Sequence, residues 1–388
     1  MKRRSFLKSL AASGVAASVA GGVTGIPKAA LAKRKKEDIG ECKSVKIYNL
    51  TETSWFDNPV FKKNIVENGG AMTNQYDIPW DPLNSGGYST LIEITQLDDS
   101  KRYFQLDSGW NNKWMDFIYQ KTPPGLNKSV AQMQSDGTIE NMVLSHWHLD
   151  HYWGIGSTLK NKQDIKIYAP ETHFPEDIKL LNGGELKAKG VSICKNDYPY
   201  KGEMVKTNTK KLYKLMPGVA VKMFDVPILL RVRGENVIYC NIKDKGIVTI
   251  TGCCHPGILT LYSYAKRNFV GGNKTYGCYG GLHISLFETW DPKFDDIIKG
   301  CKAFKPTMMG CNHCTGWIWA EKAREQGLPI VQGTDKYKDY GKGFAEMYAK
   351  EYEEMIKTGK SEMKKLYTYS SVAKASNVFL TNGDTVTF

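Results

Sequence analysis

The stretch "SHWHLDHYWG" (145–154) concentrates residue types that bind metal ions. Three of the chain's seven histidines, His146, His148 and His151, lie there within six positions, together with Asp150. Imidazole and carboxylate ligands suit Zn²⁺ and, less selectively, Fe or Mn. The alternative is a set of three unrelated surface histidines. The clustering in a histidine-poor chain favours a site for one or two divalent ions.

The apolar run "NMVLS" (141–145) just before the cluster predicts a buried strand, so the cluster falls on a strand-to-helix loop. In extended backbone, side chains two positions apart point the same way, and His146 and His148 can therefore face one ion. Asp150 and His151 turn into the next element and face a second point. An ion held in this way needs a third protein ligand and an open position.

Other strand-like runs must position the remaining ligands. They alternate with helical patterns such as "PGILTLYSYAKRN" and "DPKFDDIIKGCKAF", which predicts an α/β protein with large sheets covered by helices. The strand-like runs are "SVKIYNL" (44–50), "STLIEIT" (89–95), "RYFQLD" (102–107), "IKIYAP" (165–170), "VAVKMF" (219–224), "ILLRVRG" (228–234), "NVIYCNI" (236–242), "GIVTITG" (246–252), "PTMMG" (306–310), "PIVQG" (329–333) and "VFLTNGDTVTF" (378–388).

Three more stretches join the cluster as motifs. "FQLDSGW" ends a strand in Asp107 and Gly109, "TITGCCHPGI" delivers His255, and "MMGCNHCTGW" gives His313. With H-x-H-x-D-H in the cluster, their types and order resemble the metallo-β-lactamase superfamily. "STLIEI" and "GGLH" narrow the resemblance to dihydropterin–ribofuranosylaminobenzene-phosphate synthase-like metal-dependent hydrolases, from about residue 44 to the end.

This resemblance implies an αββα sandwich with metals at one edge between the two sheets. The first metal site would consist of His146, His148 and His255. The second would consist of Asp150, His151 and His313. Asp107 would accept a hydrogen bond from a ligand imidazole. The residues themselves agree with this arrangement, since His255 and His313 each follow a strand-like run.

One motif departs from the superfamily pattern. Many members carry an acid between the third and last motifs that bridges the two metals, whereas here the stretch is "YGCYGGLH". His283 at its end could complete the second site, bind substrate or donate a proton to a leaving group. A buried histidine that hydrogen-bonds to the backbone is the remaining alternative. One tightly held ion with a weaker second one is thus an open possibility.

The ligand set predicts a metal-dependent hydrolase. A metal-bound hydroxide would attack an ester, with a phosphoester or phosphodiester favoured. Asp150 and His283 are the predicted catalytic residues, and the substrate is a small molecule for which an anionic group is one option. The alternatives are a lactone or β-lactam hydrolase and a non-catalytic exported metal-binding protein. Five aromatic residues near the motifs could line a pocket or pack in the core: Trp110, Trp114, Tyr152, Trp153 and Trp317.

The N-terminus predicts an export signal. "KRRSFLK", with the pair Arg3 and Arg4, resembles a twin-arginine signal, and Ala30-Leu31-Ala32 forms a cleavage pattern. We therefore divide the chain into a signal peptide, residues 1–32, and one hydrolase domain, residues 33–388. The predicted partner is the twin-arginine export machinery, the predicted location is periplasmic or exported, and no stable membrane span is expected afterwards. A cytosolic protein with a disordered basic tail is the alternative.

Composition sets the remaining bounds. Forty-one per cent hydrophobic residues indicate a globular protein. The net charge is +13, but no aromatic-and-basic motif accompanies it, and this lack argues against nucleic-acid binding. The nine cysteines show no regular disulfide framework. They are predicted to pack around the metal centre rather than to act as nucleophiles.

Overall fold

The computed structural model describes residues 35–52, 72–80, 86–285, 288–341, 353, 357 and 375–388. The predicted signal peptide, residues 1–32, lies outside these ranges. Among the helices in these ranges, none combines the length and the hydropathy that a membrane crossing needs. All nine cysteines are described, and all are free thiols.

Two large sheets and one small hairpin organise the described chain. Sheet A has the strand order β15-β1-β2-β3-β4-β5-β8, sheet B has the order β14-β13-β12-β11-β10-β9, and β6 pairs with β7. The strands are β1 (Ser44–Thr51), β2 (Ser89–Thr95), β3 (Lys101–Leu106), β4 (Ile139–Val143), β5 (Lys166–Pro170), β6 (Glu185–Ala188), β7 (Val191–Lys195), β8 (Met204–Thr207), β9 (Leu212–Met216), β10 (Val219–Pro227), β11 (Arg233–Ile242), β12 (Gly246–Ile250), β13 (Thr275–Gly281), β14 (Met308–Asn312) and β15 (Thr385–Thr387).

Helices cover the outer face of each sheet. Those assigned in the described ranges are α1 (Asn112–Tyr119), α2 (Val130–Ser135), α3 (Leu149–Tyr152), α4 (Ile155–Asn161), α5 (Pro175–Leu181), α6 (Ile258–Asn268), α7 (Phe294–Phe304), α8 (Trp317–Glu325) and α9 (Lys336–Gly341). Helices α1 to α5 contribute to an apolar cluster on the outer face of sheet A. Helices α6, α7 and α8 do the same for sheet B.

The alternation of side chains along the strands creates the layers. In β11, Val237 and Tyr239 pack toward the helices over sheet B, whereas Ile238 and Cys240 pack toward sheet A. The cluster between the sheets combines Ile92 and other residues of β1 to β4 with residues of β10 to β13. Since successive side chains of a strand point to opposite faces, a continuous apolar strand is buried on both sides. The predicted α/β class and the αββα layers are confirmed.

Parallel pairing brings the ends of the motif-bearing strands together. Strand β3 runs parallel to β4 in sheet A, and β12, β13 and β14 run parallel to one another in sheet B. The carboxyl ends of parallel strands lie at the same edge of their sheet. Each motif follows one of these ends, which places the predicted chemistry at one edge of the sandwich.

Two strand predictions are wrong, a third, "VFLTNGDTVTF" (378–388), is right only at β15, and the predicted runs missed β6 to β9 and β13. The run "ILLRVRG" (228–234) contains a 3-10 turn at Leu229–Arg231, where Leu230 and Arg231 have φ of 58° and 63°. The run "PIVQG" (329–333) makes only an isolated bridge between Met309 and Ile330. The glycine-rich "TYGCYGG" forms β13, although glycine is depleted in strands.

Candidate metal centre

Loops after four strands deliver six of the seven histidines to one place. His146 and His148 follow β4, and His151 lies on α3. The chain reaches His255 after β12, His283 after β13 and His313 after β14. The His146 ring centroid lies 4.7 Å from that of His255, and the His151 centroid lies 5.0 Å from that of His313. The seventh, His173, packs against Trp147 instead.

The first group consists of His146, His148 and His255. One ring nitrogen from each lies within 4.8 Å of the others, a spacing that could hold a metal ion. His146 Nε2 lies 2.9 Å from His148 Nδ1. The side chains of His146 and His148 are fully buried.

The outer hydrogen bonds fix which nitrogens face inward as lone pairs. The Leu229 carbonyl can only accept, so His148 Nε2, at 2.8 Å, carries the hydrogen and His148 Nδ1 is a lone pair. Ser145 Oγ donates to Asp107 Oδ2 at 2.6 Å and therefore accepts from His146 Nδ1 at 2.9 Å. His146 Nε2 is then also a lone pair. Two lone pairs 2.9 Å apart repel each other unless a cation lies beside them.

Protonation does not relieve this repulsion near neutral pH. Burial lowers the pKa of His146 well below its usual range, and the neighbouring histidines lower it further. Burial also lowers the pKa of His148 to about 3. Both rings are therefore neutral at physiological pH, and a metal ion is the cation that the geometry suits.

The second group consists of Asp150, His151 and His313, whose ligand atoms also lie within 4.8 Å of one another. Asp150 Oδ2 lies 3.3 Å from His313 Nε2 and 3.7 Å from His151 Nε2. Burial would raise the pKa of Asp150, but the two histidines beside it lower the pKa to about 2. The carboxylate is therefore ionised and can only accept hydrogen bonds or bind cations.

Fixed acceptors also orient the three other histidines of the two groups. Asp107 Oδ2 accepts from His151 Nδ1 at 2.7 Å, and Glu235 Oε2 accepts from His255 Nδ1 at 2.9 Å. The backbone carbonyl of Glu52 accepts from His313 Nδ1 at 3.0 Å. In the neutral form of each ring the other nitrogen, Nε2, bears the lone pair. Partners of this kind fix the tautomer and raise the basicity of metal-binding histidines.

Several of the inward-facing atoms are buried without a hydrogen-bond partner among the described residues. They are Asp150 Oδ2, His255 Nε2, His283 Nε2 and His313 Nε2. A buried polar atom without a partner costs about 1–3 kcal/mol, so four of them at one point require an explanation. Binding of divalent ions would satisfy the three that belong to the two groups. The residues present therefore fit a metal centre.

Four residues with strained backbone conformations lie at the edge of the sandwich that carries the two ligand groups. Asp107, Cys254, His283 and His313 have φ of 59°, 60°, 51° and 48°, in the left-handed region that non-glycine residues rarely adopt. Each follows a strand that ends at the centre. Strain of about 1–3 kcal/mol per residue persists where the surrounding structure enforces it, as at functional sites.

His283 lies beside the two groups and belongs to neither. Its ring centroid is 4.4 Å from that of His255, and the groups that could hold a metal among the described residues do not include it. Glycines bring its strand close to the neighbouring one, since a Cβ on Gly280 would lie 2.0 Å from the Thr251 carbonyl oxygen. The structure therefore places His283 beside the first group and outside both groups, and its role stays a prediction.

Of the residues that orient the ligands, sequence reasoning predicted Asp107 but missed Glu235, Leu229 and Glu52. It also left the aromatic residues undecided. Glu235 is the missed residue that the sequence could have indicated, because it is a lone acid next to an apolar strand-like run. In the structure its side chain is fully buried. Trp110, Trp114, Tyr152 and Trp153 pack in the apolar cluster over sheet A, and Trp317 packs partly buried against the cluster over sheet B. The core alternative therefore holds for these aromatic residues.

Asp107→Asn is expected to weaken the second ion while preserving the fold. Asp107 accepts hydrogen bonds from Ser145 N, Ser145 Oγ and His151 Nδ1. The side-chain NH₂ group of an asparagine would point its hydrogens at one of these donors instead of accepting from it. Asparagine also tolerates the left-handed backbone at this position. We expect second-ion affinity to fall by roughly 10–100-fold, measured by chelator competition. The matched control is Asp164→Asn, an exposed carboxylate paired with Lys162. Unchanged affinity in Asp107→Asn would contradict an orienting role.

No protein-family model matches the chain. One curated relative is the 7,8-dihydropterin-6-methyl-4-(β-D-ribofuranosyl)-aminobenzene-5'-phosphate synthase of Methanocaldococcus jannaschii, with 25% identity over 307 residues, 72% of this chain and 90% of the relative. Among solved structures, a metal-dependent hydrolase of the β-lactamase superfamily aligns with a TM-score of 0.43 and 17% identity, over 72% of this chain and 91% of that one. An N-acyl homoserine lactone hydrolase aligns with a TM-score of 0.28 and 11% identity, over 55% and 76%.

Proposed function

We propose that the protein is a metal-dependent hydrolase that acts on an ester, with a phosphoester or phosphodiester as the substrate class. One observation carries the proposal. His146 Nε2 and His148 Nδ1 face each other as lone pairs 2.9 Å apart, and His255 Nε2, buried without a partner in the described chain, completes the set. Three imidazoles that leave a position open are one of the ligand sets of catalytic zinc sites.

Each part of the centre has a role in this proposal. His146, His148 and His255 hold the first ion, and Asp150, His151 and His313 hold the second. When bound, Zn²⁺, or Fe or Mn in its place, would activate a water and polarise the phosphoryl or carbonyl oxygen of the centre that the water attacks. The ionised Asp150 accepts a hydrogen bond from the attacking water and keeps it aligned. His283, whose Nε2 has no hydrogen-bond partner among the described residues, donates a hydrogen bond from the neutral ring to the leaving oxygen.

The choice of a phosphoester rests on two supports. The curated relative in Methanocaldococcus jannaschii is named for a 5'-phosphate compound, so a phosphorylated substrate suits a chain that resembles it. The net charge of +13, which is +8 without the five basic residues of the proposed signal peptide (48 basic against 40 acidic residues), favours the approach of anionic molecules. The relative is named a synthase, and we do not extend its reaction to this chain.

The test is to measure metal content first and hydrolysis second. Protein purified without added metal should carry zinc, iron or manganese by elemental analysis. It should then hydrolyse phosphodiesters or phosphomonoesters, and chelation should abolish the activity. Hydrolysis of lactones alone would replace the phosphoester by an acyl substrate. A metal-loaded protein that hydrolyses no ester would overturn the enzymatic proposal.

We infer that the protein is exported in folded form through the twin-arginine route, since Arg3 and Arg4 precede an apolar stretch and a small-residue cleavage pattern. Replacing both arginines with lysine should leave uncleaved protein in the cytoplasm, as seen by fractionation and mass. The matched control, Arg34→Lys, lies beyond the cleavage pattern and should be exported normally. A shortened periplasmic product from the double variant would refute the inference.

A further inference from the structure

Cys253 lies between the two ligand groups and was not among their predicted ligands. Its Sγ is 3.2 Å from His151 Nε2. It forms one group with His146 and His151 and another with His313 and Cys314, in each of which the ligand atoms lie within 4.8 Å of one another. The sulfur is therefore adjacent to a first-site ligand and to two second-site ligands.

The surrounding structure holds this cysteine in place. Its N–H donates to Glu235 Oε1 at 3.0 Å, the carboxylate that also orients His255. Cys314 Sγ donates to the backbone carbonyl oxygen of Cys253 at 3.5 Å. The side chain is fully buried. A position fixed by the same network as the histidines is better explained by ligation than by space filling.

The contact with His151 indicates how a metal would enter. His151 donates from Nδ1 to Asp107, so its Nε2 bears a lone pair and the Cys253 thiol donates its hydrogen to it. The S–H hydrogen therefore lies at the lone pair of His151 Nε2 with which the ring would bind an ion. When an ion binds, the S–H bond breaks, the sulfur binds the ion and the proton passes to solvent.

We propose that Cys253 binds the second ion as a thiolate and supplies the ligand that the missing bridging acid leaves absent. This inference rests on the proposed function. The second site then has four protein ligands, Asp150, His151, Cys253 and His313, the number that fills a tetrahedral zinc site. The first site keeps three histidines and an open position for catalysis. A thiolate also favours Zn²⁺ over Mn²⁺ at the second site.

Cobalt substitution tests this assignment with Co²⁺ alone as the probe. Co²⁺-loaded wild-type protein should show a thiolate-to-cobalt charge-transfer band in the near ultraviolet. Cys253→Ala should lose the band and weaken the second ion by more than the roughly 10–100-fold typical of residues that only orient a ligand. The matched control is Cys254→Ala, a neighbouring buried thiol that packs in the cluster over sheet B and should keep the band.

The outcomes separate this inference from the proposed function. Wild-type protein that binds metal and hydrolyses esters without a thiolate band would overturn the role of Cys253 alone. A band that survives Cys253→Ala and disappears in Cys314→Ala would assign the thiolate to Cys314 and have the same effect. Protein that binds no metal would overturn both proposals. X-ray absorption of the zinc-loaded wild type needs no variant, and an absence of sulfur among the zinc ligands would likewise exclude Cys253.

Discussion

His148→Ala is expected to remove the first ion and nearly all hydrolysis. Deleting this imidazole leaves His146 and His255 as a two-ligand set, too few to hold a catalytic zinc. Metal polarisation is worth several kcal/mol of transition-state stabilisation, so a rate loss of about 10³-fold or more should follow. Metal content by elemental analysis and initial rates on the best ester measure the two effects.

Two further variants test whether the effect of His148→Ala is specific to the first metal site. His173→Ala removes a histidine that lies on the same side of the sandwich but packs against Trp147, and it should retain metal and rate. His313→Ala should keep the first ion and lose the second, with a smaller loss of activity. If the metal content of His148→Ala and His313→Ala equalled that of wild type, the assignment of these loops to metal binding would be wrong.

Local pattern predicted the elements that carry the ligands. The buried run ahead of His146 becomes β4, and the runs ahead of His255 and His313 become β12 and β14. Strand periodicity and length suffice there, because each ligand lies within a few residues of its strand. Motif order then indicated which strand ends converge at one edge.

Apart from Asp107, the partners that orient the ligands could not be predicted from the same pattern. Leu229, whose carbonyl fixes the tautomer of His148, is 81 positions away, and Glu52 is 261 positions from His313. No local rule relates such residues. The run around Leu229 also has the apolar character of a strand, and only its left-handed backbone at Leu230 and Arg231 shows the turn that places the carbonyl.

Strand β13, which leads to His283, was not predicted because of its glycine content. Strand β13 carries Gly277, Gly280 and Gly281, a composition that argues against a strand when read alone. The structure explains the glycines by close approach, since a Cβ on Gly281 would lie 2.6 Å from both Cys314 Sγ and the Gly252 carbonyl oxygen. The same packing sets the position of His283, two residues further along.

His283→Asn is expected to separate chemistry from metal binding. His283 has φ of 51°, and asparagine tolerates this backbone better than alanine, so the variant removes the imidazole with little added strain. Because the ring lies next to His255 and outside both ligand groups, the metal content should stay at the wild-type level. We expect a rate loss of about 10²–10⁴-fold on esters with poor leaving groups and a much smaller loss on activated esters.

The dependence on the leaving group decides among the alternatives for His283. A histidine that assists departure of the leaving oxygen matters most where that oxygen is basic, so the slope of rate against leaving-group pKa should steepen in the variant. A metal ligand would instead give lower second-ion occupancy, with partial recovery of the rate in excess metal. A histidine that is only structural would leave the metal content and both rates unchanged. Its buried Nε2, without a hydrogen-bond partner among the described residues, argues against that last outcome, because a structural histidine is expected to have its ring nitrogens satisfied.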